Sequence, residues 1–207
     1  MRNLNSALDL TAWARAAVPA TLDAYRDRLV MVLDVAPDLQ HVVLVAAAVE
    51  ADGRVRVEAV ASWDDVHAAG KAIGPLIERA RPYVLGWFPG GPAAALAVEL
   101  ADGAKRGRRA WPPRGTRLEP IRAEVPAVCM GYAVLVAADQ IRHSGQALLD
   151  DHHGNAEKRT MPNGQWVFDR ARGAGHVSGT YASAGAAHLA RSVPAPRRAA
   201  GLTVVPD

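Results

Sequence analysis

The sequence predicts an α/β protein with a mixed central sheet flanked by helices. Three β-branched runs come first in the chain, and helical segments separate the later strands. Half of the 207 residues are hydrophobic, but only 5% are aromatic. Alanine-rich helices packed over a valine-rich sheet fit such a composition. A chain of this length is expected to form one domain with tails.

The first three strands are predicted to form an antiparallel meander. They are placed at residues 29–35, 42–49 and 55–61. The Asp52-Gly53 pair between the second and third strands is a strong hairpin signal. In the third strand, apolar residues beginning at Val55 alternate with polar residues that include Arg56 and Glu58. This period of two predicts an exposed antiparallel edge strand.

Helices are predicted to connect the strands that follow. The helices are placed at 63–79, 93–104, 124–140, 146–156 and 177–191, and the strands at 83–88, 117–122 and 165–171. Three antiparallel strands followed by helix-linked strands are typical of a ribonuclease-H-like fold. We assign residues 27–191 to this domain, residues 1–26 to an N-terminal segment and residues 192–207 to a flexible tail. Leu8, Ala12, Trp13 and Ala16 share one helical face of the N-terminal segment.

Composition excludes several classes of protein. The single cysteine, Cys129, excludes an internal disulfide and a cysteine-based zinc cluster, and it favours a cytosolic location. No apolar stretch reaches about 18 residues, so no membrane span is expected. The histidines at positions 143, 152, 153, 176 and 188 are expected at the surface, because adjacent helical residues such as His152 and His153 point in different directions.

Basic residues are concentrated between positions 105 and 122. They are Lys105, Arg106, Arg108, Arg109, Arg114, Arg117 and Arg122, and Glu119 is the one acid among them. The net charge of the chain is +3. Such a basic segment can contact DNA phosphates without reading the base sequence. The alternative is a solvated loop that contributes to solubility.

Asp34 is the first candidate for a metal ligand, because it ends an apolar strand. A two-metal site needs three or four carboxylates from separate elements. The other candidate acids are Asp38, Glu50, Asp52, Glu58, Asp139, Asp150, Asp151 and Asp169. Sequence spacing does not place any of them beside Asp34.

Six segments carry a resemblance to a known family. They are Trp13, Leu33–Asp38, Asp52–Val60, Gly91–Ala93, Ile141–Gln146 with Leu148, and Trp166–Arg170. In their order and spacing, the chain resembles the C-terminal nuclease domain of phage terminase large subunits, particularly those of actinobacterial phages and prophages. The match covers about Leu8 to Ala190.

The resemblance implies a two-metal DNA endonuclease that acts in viral genome packaging and uses Mg²⁺ or Mn²⁺. Asp34 corresponds to the first metal-binding acid. Arg142 and His143 are expected to contact DNA together with the basic segment. The implied partners are double-stranded DNA and packaging proteins such as a portal, a small terminase or a separate ATPase chain. The implied location is the cytoplasm of a bacterial host or phage-infected cell, with no membrane association.

The chain departs from the family at two acid positions. Phe88 stands where the second acid is expected, and His176 stands where the third is expected. Phe88 cannot coordinate a cation, and an imidazole suits softer ions better than Mg²⁺. We therefore predict that cleavage is lost or impaired. An active enzyme would use Mg²⁺ or Mn²⁺, and an inactive one would need no metal cofactor.

Two alternatives remain open at this point. One is an active nuclease with non-standard ligands, in which Asp38, Asp150 or Asp169 completes the site. The other is a non-enzymatic DNA-binding or protein-binding assembly module on the same fold.

Overall fold

A computed structural model describes residues 6–105, 111–171 and 175–195, excepting the side chains of residues 103–105. The helices in these ranges are α1 Leu10–Arg15, α2 Val66–Ala80, α3 Pro92–Lys105, α4 Val125–Ala137, α5 Ala147–Gly154 and α6 Ser178–Ser192, with a 3₁₀ segment at Leu22–Arg28. The strands are β1 Val30–Val35, β2 Val42–Val49, β3 Val55–Trp63, β4 Val84–Trp87, β5 Arg117–Pro120, β6 Ile141–Arg142, β7 Lys158–Thr160 and β8 Trp166–Phe168.

A six-stranded sheet has the order β5-β4-β1-β2-β3-β6. Strands β1, β2 and β3 pair antiparallel, whereas β4, β5 and β6 each add a parallel pair. Strands β7 and β8 form a separate antiparallel pair. The predicted α/β, ribonuclease-H-like arrangement of a mixed sheet flanked by helices is therefore confirmed.

The two faces of the sheet carry separate hydrophobic clusters. Val30 and Val32 of β1 face the cluster that contains α4 and α6. Met31 and Leu33 face the opposite cluster, which contains α2 and α3. Side chains alternate along a strand, so Asp34 shares the α6 face with Val30 and Val32.

Helix α6 is the central helix of its layer. Ten consecutive residues, Ser178–Ala187, are buried. Its close approach to the sheet depends on Gly86 in β4, where an added Cβ would meet the Leu189 side chain and lie 2.9 Å from the Glu119 carbonyl oxygen. The alanine-rich and glycine-rich sequence of α6 suits this position, because small side chains let a helix approach a sheet closely.

Helix α1 packs into the domain through Trp13. The Trp13 ring stacks on His143 at 3.6 Å and on His153 at 4.0 Å between ring centroids, and its Nε1 donates to Asp150 at 2.7 Å. The predicted apolar face of the N-terminal segment is confirmed, since Leu8, Ala12, Trp13 and Ala16 are all buried.

Three histidines are interior, so the prediction of surface histidines is wrong for them. His143, His152 and His153 are 1%, 3% and 0% exposed. His152 Nδ1 accepts from the Gly179 amide at 2.7 Å, and His153 Nε2 lies 2.8 Å from the Tyr132 hydroxyl. These partners let neutral imidazoles be buried.

The prediction that β3 is an exposed edge is also wrong at its beginning. Strand β6 pairs with Val55 and Arg56, and Arg56 and Glu58 are 2% and 8% exposed. The alternating charges lie inside because Arg56 is paired with Glu50 and Glu58. Strands β6 and β7 are two and three residues long, too short for the sequence pattern to predict.

Among the described helices, none combines the length and apolar character that crossing a membrane would require.

Candidate functional site

The candidate site lies where β1, β4 and α6 meet. The parallel pairing of β1 with β4 runs to Leu33 opposite Trp87, so Asp34 and Phe88 are the next residues on the two neighbouring strands. The first turn of α6 begins at Ser178. The sheet therefore brings the position of Phe88 beside Asp34, as expected for two positions of one site.

Both oxygens of Asp34 are bound by one guanidinium. Arg170 Nη2 donates to Oδ1 at 2.6 Å and Nη1 donates to Oδ2 at 2.8 Å. Nη1 also lies 3.4 Å from the Val35 carbonyl oxygen. The Arg170 guanidinium carbon sits 3.7 Å from the centre of the Tyr181 ring. A bidentate pair combined with cation–π stacking fixes the arginine in one geometry.

Burial and the mutual attraction of the two charges act on this pair in opposite directions. Asp34 is 2% exposed, and burial raises the pKa of its carboxyl group, although the charge and hydrogen bonds of Arg170 oppose this shift. Burial alone would lower the pKa of Arg170, but Asp34 outweighs it and the net shift is upward. The Ser178 hydroxyl is close enough to favour the carboxylate, although its position does not meet the geometry of a hydrogen bond.

Phe88 fills the neighbouring position with an aromatic ring. It is 5% exposed and meets Tyr181 edge-to-face, with centroids 5.9 Å apart. Tyr181 in turn donates its hydroxyl to the Phe168 carbonyl at 2.6 Å. Phe88 therefore presents an aromatic ring beside Asp34, where the second acid is expected.

His176 points to a group of imidazoles. It is exposed and stacks on His41, with centroids 4.2 Å apart, and His152 lies 6.2 Å from it. Burial and the neighbouring His176 lower the pKa of His41. Ser178, two residues after His176, is the residue of this segment that lies near Asp34.

The remaining candidate acids accept hydrogen bonds from other groups, although Asp38 also lines a small pocket with Arg170, His176 and Ser178. Asp38 accepts from the Gln40 amide at 3.0 Å, Asp150 accepts from Trp13, and Asp169 accepts from the Ala171 amide at 2.8 Å. Glu58 is paired with Ala46, which lies in the cluster on the opposite sheet face from Asp34. The described residues contain no group of three histidines, cysteines or acids that could hold a metal ion.

The residues present do not fit a pair of Mg²⁺ or Mn²⁺ ions. Hard divalent ions need several anionic oxygens, whereas both oxygens of Asp34 already accept from Arg170. Outside the described ranges, the sequence adds one carboxylate side chain, Asp207. One more acid would not supply the three or four carboxylates that two metals require.

The predicted DNA-binding residues do not form one described surface. Arg114 and Arg117 are exposed at the β5 edge, at the end of the sheet away from Asp34, because Arg117 is paired with Val84 at the start of β4. Arg142 lies on β6, at the other edge. Arg106, Arg108, Arg109 and the Lys105 side chain lie outside the described residues. His143 is buried against Trp13, so we leave it out of the proposed DNA-binding surface.

The fold was compared with known proteins at three levels. No family model matches the chain, and no curated protein sequence matches it. Among solved structures, the HK97 bacteriophage large terminase matches with a TM-score of 0.64 and 13% identity over 86% of this chain. The chain has the fold of a large terminase nuclease domain. It spans 43% of the HK97 large terminase, less than half of that protein.

Two isolated nuclease domains of large terminases match over most of their own length. The large terminase nuclease of thermophilic phage G20c, with bound magnesium, gives a TM-score of 0.55 and 14% identity over 77% of this chain and 80% of that chain. The nuclease domain of the large terminase subunit of bacterial virus Sf6, with manganese, gives 0.57 and 11% over 87% and 97%. At these low sequence identities, the similarity to terminase nucleases is a similarity of fold.

Arg170 is the functional residue whose role the sequence did not reveal. It belongs to the Trp166–Arg170 segment that carries the resemblance, but its pairing with Asp34 spans 136 residues. A single arginine after a short strand carries no signal of its partner. Only the packing of β8 beside α4 and α6 brings the two together.

Proposed function

We propose that this chain is a terminase-type nuclease domain that binds duplex DNA but does not cleave it by a two-metal mechanism. The observation that carries the proposal is the bidentate pairing of Arg170 with both oxygens of Asp34. The guanidinium takes one lone pair of each Asp34 oxygen, and its positive charge opposes the approach of a metal ion. Phe88 removes the adjacent ligand position.

Displacement of Arg170 by a metal ion is unfavourable for electrostatic reasons. Breaking a buried ion pair by removing one partner costs about 3–5 kcal/mol, because it leaves an uncompensated charge. An incoming ion would have to recover this free energy from one carboxylate. A hard divalent ion instead retains most of its water shell when so few protein oxygens are offered.

DNA binding is proposed from charge and exposure. Arg114 and Arg117 are exposed and follow directly on the basic residues of positions 105–109. Arg117 has an acidic neighbour, Glu119, at 3.3 Å, but the arginine remains 58% exposed. Phosphate binding of this kind is independent of the base sequence and is not coupled to Asp34, which lies at the other end of the sheet.

A protein partner is proposed from the structural similarity to a whole large terminase. The chain spans less than half of the HK97 large terminase, and packaging proteins such as a portal, a small terminase or an ATPase chain are its proposed partners. In that role the domain would contribute DNA contacts and a docking surface.

Cleavage is tested with supercoiled plasmid DNA in the presence of Mg²⁺, Mn²⁺ or Co²⁺. We expect no nicking above that of an Asp34→Asn variant purified in parallel, which serves as the control for contaminating nucleases. Isothermal titration of the intact protein with Mn²⁺ should show no heat of binding. Cleavage that disappears in the Asp34→Asn variant would overturn the proposal.

DNA binding is tested by the salt dependence of a gel-shift affinity. Replacing both Arg114 and Arg117 with Ala should weaken binding and reduce the slope of log K against log salt by about 1.8, or about 0.9 for each lost phosphate contact. Arg26→Ala is the matched control, because Arg26 is an exposed arginine of the 3₁₀ segment, outside the assigned surface. An unchanged slope in the double variant would contradict the assigned surface.

A further inference from the structure

An open groove lies on the sheet face opposite Asp34, between the 3₁₀ segment and the end of α2. It has two compartments of about 280 and 240 Å³. Thr21, Leu22, Leu29 and Val60 line both compartments, so the compartments adjoin each other. The groove is separate from the Asp34 site, which lies on the other face of the sheet.

The middle of the groove is apolar. Val60 is 37% exposed although it is a large hydrophobic residue in a strand. Leu22 and Leu76 beside it are half-buried, and Leu29 is buried below them. Because these side chains come from three elements of the chain, together they form a concave apolar surface that is open to solvent.

One end of the groove carries surplus negative charge. Arg56 Nε lies 2.7 Å from Glu50 Oε1, and its Nη1 lies 3.4 Å from Glu58 Oε1. One guanidinium is thus shared by two carboxylates, and the longer contact belongs to Glu58. Glu58 is 8% exposed, lines the first compartment and accepts a short hydrogen bond from the Ser144 hydroxyl.

The other end carries surplus positive charge. Asp23, Arg26 and Arg79 line the second compartment. Asp23 and Arg26 form an ion pair at 2.7 Å, so Arg79 provides the net charge. The two ends of the groove therefore have opposite polarity, with apolar residues between them.

The backbone at the edge of this groove is already paired. The Gln146 side-chain amide accepts from the Ala59 amide at 2.6 Å and donates to the Ala59 carbonyl at 2.9 Å. It takes the place that a neighbouring strand would have at that residue. A ligand at this end is therefore recognised by the groove and its charges and not by strand addition at Ala59.

We infer that this groove docks a short peptide segment of a partner protein. The segment carries a Lys or Arg side chain at the Glu58 end, apolar side chains over Val60 and Leu22, and an acidic side chain at the Arg79 end. Opposite charges at the two ends fix the direction of the peptide. A nucleic acid does not fit, because its phosphates would face Glu58.

The test is a titration of the ¹⁵N-labelled full chain with a pool of acetylated pentapeptides of the form Lys-X-X-X-Glu, where X is Leu or Val. Amide shifts are expected at Leu22, Val60 and Ser144. Replacing Lys with norleucine should weaken binding about tenfold. A pool that causes no shifts at about 1 mM would overturn the inference, as would the same shifts caused by a DNA duplex.

Variants of the chain assign the two ends. Glu58→Gln should weaken the Lys-containing pool about tenfold. Val60→Asp changes an exposed side chain that is not part of the buried ion pairs of Arg56. It should abolish the amide shifts. Arg79→Glu should reverse the preference at its end, so that a pool with Lys at both ends binds better than Lys-X-X-X-Glu. Arg114→Glu is the surface control. Binding that is unaffected by both Glu58→Gln and Val60→Asp would contradict the inference.

Discussion

At the scale of residues, the Asp34–Arg170 pair determines what the site can do. A buried carboxylate needs a positive partner, and the chain provides one from the loop after β8, distant in sequence. The pair is further enclosed by Tyr181 on the face of the guanidinium. The same contacts with Arg170 that favour the ionised form of Asp34 also engage both of its oxygens.

Removal of the guanidinium should destabilise the whole domain. Arg170→Met leaves Asp34 buried without a partner, so we expect the free energy of unfolding to fall by about 3–5 kcal/mol. Urea denaturation followed by circular dichroism measures the change. Arg26→Met, which breaks an exposed ion pair, should have no measurable effect. A double variant with Asp34→Asn should lose less than Arg170→Met alone, and equal losses would argue against the charge as the cause.

The buried histidines predict a loss of stability in acid. Burial, with repulsion from His41 and His176, lowers the pKa of His152 to about 4. Burial, with repulsion from His143, lowers the pKa of His153 to about 3. The unfolded chain takes up these two protons near pH 6.5, whereas the folded chain does not. The free energy of unfolding is therefore highest above pH 6.5 and decreases as the pH falls toward 4.

The measurement is the free energy of unfolding between pH 6 and 4.5. Two protons taken up on unfolding give a slope of about 2.7 kcal/mol per pH unit. His153→Phe should reduce the slope by about 1.4 kcal/mol per pH unit. His67→Gln removes an exposed histidine, so comparing the two variants separates burial from simple loss of an imidazole. Equal slopes in wild type and His153→Phe would contradict this prediction.

At the scale of elements, helix α6 connects the site to the sheet. It provides Ser178 near Asp34 and Tyr181 against Arg170, and its far end reaches Leu189 over Gly86. A helix this close to a sheet leaves no space for additional atoms. The position of the first turn of α6, and therefore of the site, depends on small residues such as Gly86 at the other end of the contact between α6 and the sheet.

Gly86→Ala should displace α6. The new Cβ would meet the Leu189 side chain and the Glu119 backbone oxygen at 2.9 Å, and overpacking of this kind costs about 1–3 kcal/mol. Gly74→Ala is the control, because a Cβ there meets nothing within 4 Å and α2 should gain about 0.5–1 kcal/mol from the better helix former. Thermal unfolding distinguishes the two, and a neutral Gly86→Ala would show that α6 can move away from the sheet at little cost.

At the scale of the whole molecule, local signals predicted the elements but not their long-range pairings. The hairpin at Asp52-Gly53 and the apolar faces of α1 and α2 were predictable, because periodicity and turn chemistry act within a few residues. The burial of Arg56 and of His143 was not, because each depends on partners far away in sequence. Ile141–Gln146 shows this well: His143 stacks on Trp13, Ser144 donates to Glu58 and Gln146 binds Ala59.

For the candidate site, the resemblance gave Asp34 and Phe88 as acid positions, and the two occupy adjacent strand ends. Their role in a site stays a prediction. Arg170 reaches Asp34 only through the tertiary fold. The location of His176 against His41, and not against Asp34, depends on the path of the chain before α6.

The cation beside Asp34 is the guanidinium of Arg170, which is part of the chain itself, so chelators should leave this domain unchanged. A protein that gains stability from a bound ion melts at a temperature that follows the concentration of that ion. Here the melting temperature should be the same in EDTA and in millimolar manganese. The domain would then keep its shape in compartments where free divalent ions are scarce, and a melting temperature that rises with manganese would reveal an ion site elsewhere in the chain.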